Sequence, residues 1–378
     1  MFTVGTSSLI VLGIGQEVTN SFSLPPGAAG WLMTVFAGIF AVSAPMAQLF
    51  FARRISQLKL VCTGLLLLAA GLLWASLAAG YSGLLGARAC MALGGALIAP
   101  ASAALAVRLS SPGYKTHALA IVFAGFTLAS VVGVPLGTWL GITLGWRGTM
   151  AAIACLTLIA LAIVMVCFRS LRQGNVADHD GKVSLQRSTR IAAIAILATN
   201  AGVLGTQFTI YAVMAALLVE DFGLASNALP LAMLFFGIAG VAGNMVSGIW
   251  ADRVGVPAVI WFSLAGLGLM IALLLVDLGP VFACSLLAGC AFCGTLFTAP
   301  QQSRLTTVVP VRFHGLALAL NTSASYIGIA AGSTAASLLY AAFGAGALPA
   351  GALALLALAV VSNLGANSGA HPASSSRL

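Results

Sequence analysis

The sequence contains very few charged residues. Asp, Glu, Lys and Arg make up only 6% of its 378 residues, as seven acids and sixteen bases, whereas soluble domains average about 25%. So little charge excludes an ordinary soluble globular protein. Together with 61% hydrophobic residues and a mean hydropathy of +1.10, it indicates an integral membrane protein.

Histidine and cysteine are also scarce. None of the four histidines falls inside a long apolar stretch, so Cys290 and Cys293, although spaced as CxxC, lack the partners of a metal site. The cysteines are odd in number and lie in apolar stretches, which is typical of small buried hydrophobes. A membrane enzyme would need a nucleophile with its base, or an HExxH pair, within the spans. We therefore predict no enzyme, no cofactor and no metal.

The uncharged stretches are long enough to cross a membrane as helices. About 20 apolar residues form one crossing, and unbroken runs of this kind differ from the short alternating segments of a membrane barrel. The predicted fold is an all-α membrane protein with twelve transmembrane helices. They are placed at 1 to 15, 29 to 51, 59 to 79, 83 to 108, 117 to 144, 148 to 168, 191 to 219, 228 to 250, 256 to 276, 279 to 303, 314 to 341 and 346 to 363.

The two halves of the sequence are repeats. A shift of 199 residues places Gly38 on Gly237 and Gly133 on Gly332. Because each half has an even number of helices, both halves enter from the same side and the repeats are parallel. The predicted domains are a six-helix bundle at 1 to 168, a linker at 169 to 190, a second six-helix bundle at 191 to 363 and a disordered tail at 364 to 378.

The first predicted helix is short. Fifteen residues cover only about 22 Å of a core about 30 Å thick. Comparison with the seventh helix, which begins at Ile191, puts the expected start before Met1. We therefore expect a first helix truncated at one end, through a start codon assigned too late or a shortened chain.

Basic residues predict the orientation. Fourteen of the sixteen lie in the tail or in the loops after even-numbered helices, so these loops, the linker and the C terminus are expected in the cytoplasm. The opposite side keeps Arg147 and four acids, Glu17, Glu220, Asp221 and Asp277. A nucleic-acid partner would need one clustered basic face, and none is predicted.

A motif after the eighth helix carries a family resemblance. Residues 248 to 255, which include Gly248, Asp252, Arg253 and Gly255, match GxxxDRxG, the signature of the major facilitator superfamily. Gly248 would let a neighbouring helix approach, and Asp252 would accept hydrogen bonds from that helix's N-terminal amides. A simple turn with a solvated ion pair is the alternative. The matching stretch of the first half, 49 to 56, has lost the acid and both glycines, so that half of the latch is expected to be weak.

Two further helices resemble motifs of this superfamily. Arg88 in the fourth helix is followed by Gly94, and it faces the bundle interior or snorkels from the helix end. In the fifth helix, Gly133, Pro135 and Gly137 resemble the antiporter motif of drug and proton exchangers. Glycines every four residues make a smooth packing face and Pro135 can bend the helix, so packing alone and direct gating both stay open.

Over nearly the whole chain the sequence resembles the twelve-helix drug/proton antiporter branch that includes arabinose and sugar efflux permeases. The resemblance implies a multi-pass transporter of the bacterial inner (plasma) membrane. Such a protein exports a small organic solute or drug by alternating access, as a monomer in the lipid bilayer, with protons as the candidate counter-ion. Where the branch usually has an acid in helix one, this chain has Ser8. Exchange without proton coupling and a transport-impaired or regulatory relative therefore remain alternatives.

Polar residues within the spans are the candidate cavity lining. The resemblance implies that helices one, four, seven and ten line the path, and the 199-residue shift brings Ser8 near the place of Gln207. For a single Ser, a bond to its own helix carbonyl is the more frequent role. We favour Gln207 and Asn321, with Tyr211 and Tyr326. Amides and aromatic faces without a carboxylate suit a neutral amphipathic solute.

Overall fold

The computed structural model describes residues 1–25, 27–47, 55–111, 115–168, 187–276, 279–310 and 313–368, and every regular element in these ranges is helical. Of the predicted linker only 187–190 is described, as the start of a helix. Asp277 and the tail from 369 lie outside the described residues, as does most of the stretch from 49 to 56.

Helices of the first half are separated by short turns and two internal breaks. A π-helical turn, Ala129–Gly133, precedes Pro135, which has no N–H to donate within a helix. A second break falls at Gly145, where φ is 71°. The helices are α1 Phe2–Leu9, α2 Val11–Ser21, α3 Ala28–Met46, α4 Gln57–Leu77, α5 Tyr81–Leu109, α6 Lys115–Leu128 and α7 Val134–Phe168.

The second half follows the same plan. Its helices are α8 Arg187–Tyr211, α9 Met214–Ala216, α10 Leu229–Val254, α11 Val256–Leu273, α12 Pro280–Val308, α13 His314–Phe343 and α14 Ala347–Ser368. A π-helical turn, Leu217–Asp221, extends α9. Prolines occupy the first turn of α10, α11 and α12, where the missing N–H costs no helical hydrogen bond.

Helix boundaries repeat at a spacing of 199 residues. Tyr81–Leu109 and Pro280–Val308 begin and end 199 residues apart. Gly145 and Gly344, also separated by 199, have φ of 71° and 74°, a conformation that glycine adopts without a steric penalty. The parallel repeat predicted from the sequence is therefore present in the fold.

Ten helices in the described residues are long and apolar enough to cross a membrane. One of them, the 45-residue stretch Ala124–Phe168, is broken at Gly145 and holds two crossings. The segments α1 and α2 add another. This arrangement is consistent with the twelve predicted crossings.

The first helix is longer than predicted. The segments α1 and α2 run from Phe2 to Ser21 with one break at Ile10, and this length covers about 30 Å. The prediction ended the helix before Glu17 because a carboxylate is costly in a membrane. In the structure Glu17 lies within α2 beside Gly141 of α7, where the absence of a side chain leaves room for it.

The last helix also extends past its predicted end at 363, as far as Ser368. Asn363 is almost fully buried, and its Oδ1 accepts a hydrogen bond of 2.6 Å from Arg304 on α12. This buried hydrogen bond ties α14 to α12 at the position where the sequence predicted the helix to end.

Candidate substrate cavity and gates

A cavity of about 320 Å³ lies between the two halves of the molecule, within the size range of small-molecule sites. Residues of α1, α2, α6, α8, α10, α12 and α13 form its wall, with Ser130 of the first π turn. Four predicted cavity residues line it together: Ser8, Gln207, Tyr211 and Tyr326. The fifth, Asn321, does not line it.

Gln207 is positioned by its neighbours on two helices. Its Nε2 donates to the Tyr211 hydroxyl and to the Cys290 carbonyl, both at 3.4 Å. The amide occupies the space that a Cβ would take at Gly294 of α12, so a side chain at that position would displace it. These long hydrogen bonds leave the amide available to a solute that offers better geometry.

Tyr326 closes one side of the cavity. Its ring stacks on Phe40 of α3 with 3.9 Å between centroids, and Phe36 lies 6.5 Å from it. On the opposite wall, Tyr211 meets Phe236 edge-to-face at 4.8 Å. Both tyrosines carry a hydroxyl on a buried apolar ring, a combination that suits amphipathic ligands.

Asn321 lies deeper in the second half than the cavity. Its backbone carbonyl accepts hydrogen bonds from Asn200 Nδ2 at 3.1 Å and Ser325 Oγ at 3.0 Å. Its side chain is 4% exposed, and its Oδ1 has no hydrogen-bond partner among the described residues. An amide in an apolar helix has the same sequence signature in either place, so spacing alone did not distinguish it from Gln207.

The cavity lining holds no charged side chain among the described residues. Three aromatic residues of the lining, Phe126, Phe208 and Phe236, were not predicted, because an aromatic side chain in an apolar helix carries no pattern that marks it as a cavity residue. Asn244 on α10 lines the cavity and is exposed, whereas Gln207 and Tyr211 are buried.

Arg88 is fully buried inside the first bundle, so it does not snorkel. Its Nη1 donates to the Ser7 carbonyl at 2.5 Å and its Nη2 to the Ser8 carbonyl at 3.2 Å. Nε donates to the Leu32 carbonyl at 3.2 Å. The Ser7 and Ser8 carbonyls lie next to the break at Ile10, which separates α1 from α2.

Arg88 therefore donates hydrogen bonds to α1 carbonyls beside the break, and through Leu32 it holds α1 and α3 together. The Phe36 ring lies 4.8 Å beneath its guanidinium carbon, in cation–π geometry. No carboxylate pairs with it in the part of the chain that the structure describes. Its position beside Ser8 makes it a residue that shapes one wall of the cavity.

The antiporter-like glycines form a contact surface for the first helix. The space at Gly133 is filled by Thr6, and the space at Gly137 by Ile10. The second half repeats this arrangement, since a Cβ at Gly332 would overlap the Gly205 carbonyl of α8. Close packing is thus a role of these glycines in this conformation, and Pro135 follows directly after the π turn that bends the helix.

We call the helix ends that carry Glu17, Glu220 and Asp221 the acidic face, and the opposite ends, with Arg187 and Arg253, the basic face. The two halves meet at the acidic face and at mid-depth. Between the halves, Gln16 Nε2 donates to Glu220 Oε1 at 2.9 Å. Within the second half, the Tyr340 hydroxyl donates to Asp221 Oδ2 at 2.7 Å.

Two helix pairs complete this closure. A Cβ at Gly30 of α3 would lie 2.7 Å from the Ser333 carbonyl oxygen of α13. A Cβ at Gly237 of α10 would lie 2.5 Å from the Ser130 carbonyl oxygen in the π turn. The structure is therefore closed at its acidic face.

Among the described residues the GxxxDRxG latch has no partner. No described atom lies within 4 Å of a Cβ built at Gly248, so none of the described helices makes the predicted close approach there. Asp252 and Arg253 are exposed, and Asp252 has no hydrogen bond to another described residue. Only Gly255 acts as expected of a turn residue, with φ of 89° between α10 and α11. A latch at the basic face has no partner to hold when the molecule is closed at the other face.

The family model of the Major Facilitator Superfamily matches residues 1–204 and 196–374. The chain belongs to this superfamily. The uncharacterised transporter YbcL of Bacillus subtilis, described as MFS-type, is 27% identical over 337 residues, 88% of this chain and 84% of that protein. The inner membrane transport protein YdhP of Escherichia coli is 26% identical over 253 residues, 67% of this chain and 64% of that protein.

Solved structures show the same fold. The peptide transporter POT superimposes with a TM-score of 0.78 at 16% identity, over 97% of this chain and 92% of that chain. A bacterial homologue of the human lysosomal transporter Spinster, inward-facing and unoccupied, gives 0.71 at 16% identity, over 97% and 94%. This major facilitator protein is thus a membrane secondary transporter and not an enzyme.

Proposed function

We propose that this transporter exports a small, uncharged amphipathic organic solute or drug across the bacterial inner (plasma) membrane by alternating access. The uncharged cavity between its two halves carries the proposal. A charged solute would lose its hydration on entry and find no counter-charge in the lining. A neutral solute gains apolar contact with Tyr211 and Tyr326 and a hydrogen bond from Gln207.

The direction of export rests on the orientation. Lys and Arg gather at the basic face, so we assign that face to the cytoplasm. With the acidic face closed, the cavity then faces inward and is ready to load solute from the cell or from the inner leaflet. The similarity to YdhP, an inner membrane transport protein of Escherichia coli, supports the choice of membrane.

Proton coupling is proposed to be weak or indirect, or absent, as in facilitated exchange. The cavity lining contributes no carboxylate, and Glu17, which packs near the acidic face, is separated from the lining in the present state. Reconstituted protein with an imposed pH gradient and a pH-sensitive dye tests this. Strong substrate-dependent proton flux that persists in both Glu17→Gln and Asp277→Asn would contradict it.

The cavity itself is tested by a matched pair of variants. A thermal-shift screen of drugs, sugars and nucleosides first supplies a ligand, and its affinity is then measured for Gln207→Ala and Asn321→Ala. One hydrogen bond contributes about 0.5–1.5 kcal/mol, so Gln207→Ala should weaken binding roughly 2- to 12-fold. Asn321→Ala, a buried amide outside the lining, should leave affinity unchanged.

Unchanged affinity and transport rate in Gln207→Ala would show that the cavity is misplaced. Counterflow of the same ligand in proteoliposomes separates a carrier from the alternative of a transport-impaired or regulatory relative, because only a carrier exchanges labelled for unlabelled solute. The Asn321→Ala protein serves as the folding control in both assays.

A further inference from the structure

The two seams where the halves of the molecule meet are related by the 199-residue repeat, yet they differ in side-chain size. We call the contact between α3 and α13 the closed seam. We call the junction of α10 with α6 and with the π turn that follows α6 the open seam; here α10 contacts the π turn. In the closed seam, Phe40 and Tyr326 stack at 3.9 Å and are 2% and 8% exposed. This aromatic pair fills the space between the helices at mid-depth.

The repeat places much smaller residues at the same positions of the open seam. Phe40 corresponds to Ala239 on α10, and Tyr326 corresponds to Thr127 on α6. Both are partly exposed, and Thr127 lines the cavity. An alanine and a threonine cannot fill the volume of two stacked rings, so the cavity extends into this seam instead of ending at it.

Cavity-lining residues confirm which helices border the extension. Five residues along one face of α10 lie in the wall: Phe236, Gly237, Gly240, Val241 and Asn244. No residue of α3, the repeat partner of α10, is among the described residues of the wall. Towards the acidic face the open seam is closed where Gly237 meets Ser130, so the gap lies below that contact.

The gap lies at the depth of the hydrocarbon core. Gly240 and Asn244 are 11 and 15 residues from the start of α10 at Leu229, which places them about 17 to 23 Å along a helix that crosses a core about 30 Å thick. The flanking side chains Leu128 and Ile238 are 52% and 49% exposed. Exposed apolar side chains on helices that cross the hydrocarbon core face lipid.

We propose that the cavity opens sideways into the bilayer through the open seam, and that its solute is an uncharged amphipath that enters from the lipid leaflet of the basic face. This inference rests on the proposed transport function and specifies where the solute comes from. It accounts for an uncharged lining, because a solute already dissolved in lipid has no charge to neutralise.

Photocrosslinking to lipid tests the opening without a known substrate. The photoreactive residue p-benzoylphenylalanine replaces Phe236 in the cavity wall or Phe40 in the closed seam, and the purified full chain is irradiated in vesicles of palmitoyl-oleoyl phosphatidylcholine. Intact mass spectrometry then measures the fraction of protein with one phospholipid attached. We expect an adduct at position 236 and none above background at position 40.

Larger side chains in the open seam provide the decisive test of the opening. Thr127→Tyr with Ala239→Phe copies the aromatic pair of the closed seam and should abolish the adduct at position 236, whereas Thr127→Ser with Ala239→Ser should retain it. Thermal unfolding and gel filtration check that each variant folds. Thr127 and Ala239 are partly exposed, so larger side chains can be accommodated there. The comparison of refilled and parent protein uses only the label at position 236, so it stands even if a label at the buried position 40 disturbs the packing.

An adduct that persists in the refilled variant, or no adduct at position 236 in the parent, would overturn the sideways opening. Neither result bears on the cavity as a solute site, since the affinity test with Gln207→Ala needs no lipid entry. If Gln207→Ala leaves affinity unchanged while a lipid adduct still forms at position 236, the cavity is a cleft filled by lipid and not the proposed solute site.

Discussion

Replacing Gly237 with alanine is expected to open the acidic face of this transporter. The added Cβ would lie 2.5 Å from the Ser130 carbonyl oxygen and 2.9 Å from the Val131 Cα. Both neighbours are backbone atoms, so neither is relieved by a change of rotamer, and the two halves must separate. The repeat supplies a matched control at Gly38, where no atom of the described residues lies within 4 Å of a built Cβ.

The magnitude follows from where the contact acts. Overfilling a packed contact costs about 1–3 kcal/mol, and here the cost falls only on the closed state because the contact joins the two halves. The closed-to-open ratio should therefore drop roughly 5- to 150-fold. Alanine also favours a helix over glycine by about 1 kcal/mol, but this term acts in both states and in both variants.

Spin labels at Asn20 and Asn227, which are exposed on the acidic face in different halves, measure the separation by double electron–electron resonance after the native cysteines are replaced by alanine. Gly237→Ala should shift the distance distribution to a longer component, and Gly38→Ala should leave it unchanged. The same distance distribution in both variants, whether shifted or not, would show that the Gly237 contact does not hold the acidic face closed.

Three further predictions concern other parts of the molecule. Arg88→Ala leaves buried carbonyls of α1 without donors, at about 1–3 kcal/mol each, so its unfolding temperature should fall well below the parent's and Arg88→Lys should recover part of the loss; no change would remove the proposed role. A cysteine at Asn175 should resist a membrane-impermeant reagent in whole cells while one at Gly223 reacts, and the reverse pattern would invert the orientation. Asp252→Asn should leave thermal stability unchanged in this conformation, whereas Gly255→Ala, at φ of 89°, should cost about 1–2 kcal/mol; equal effects would mean that Asp252 has a partner here.

Local features of the fold were predictable from the sequence. Uncharged stretches located the crossings because a membrane admits few charges, and glycines such as Gly145 and Gly344 marked breaks because they tolerate positive φ. The repeat was visible because paired helices keep the same small residues at the same contacts, as Gly133 and Gly332 do. The first helix was misjudged because Glu17 was treated as a boundary, although packing beside Gly141 accommodates it.

The tertiary structure alone decided which contacts these residues make. Gly38 and Gly237 are equivalent in the repeat, yet only Gly237 touches the opposite half, because the contact depends on how the two bundles tilt against each other. Gln207 and Asn321 are both amides in apolar helices. Only the packing of α8 against α12 directs the Gln207 side chain toward the cavity. The same sequence serves states that differ by a few kcal/mol, so it specifies helices and repeats. The choice of closed face, and with it the lack of a partner for Asp252 among the described residues, depends on how the two halves are arranged.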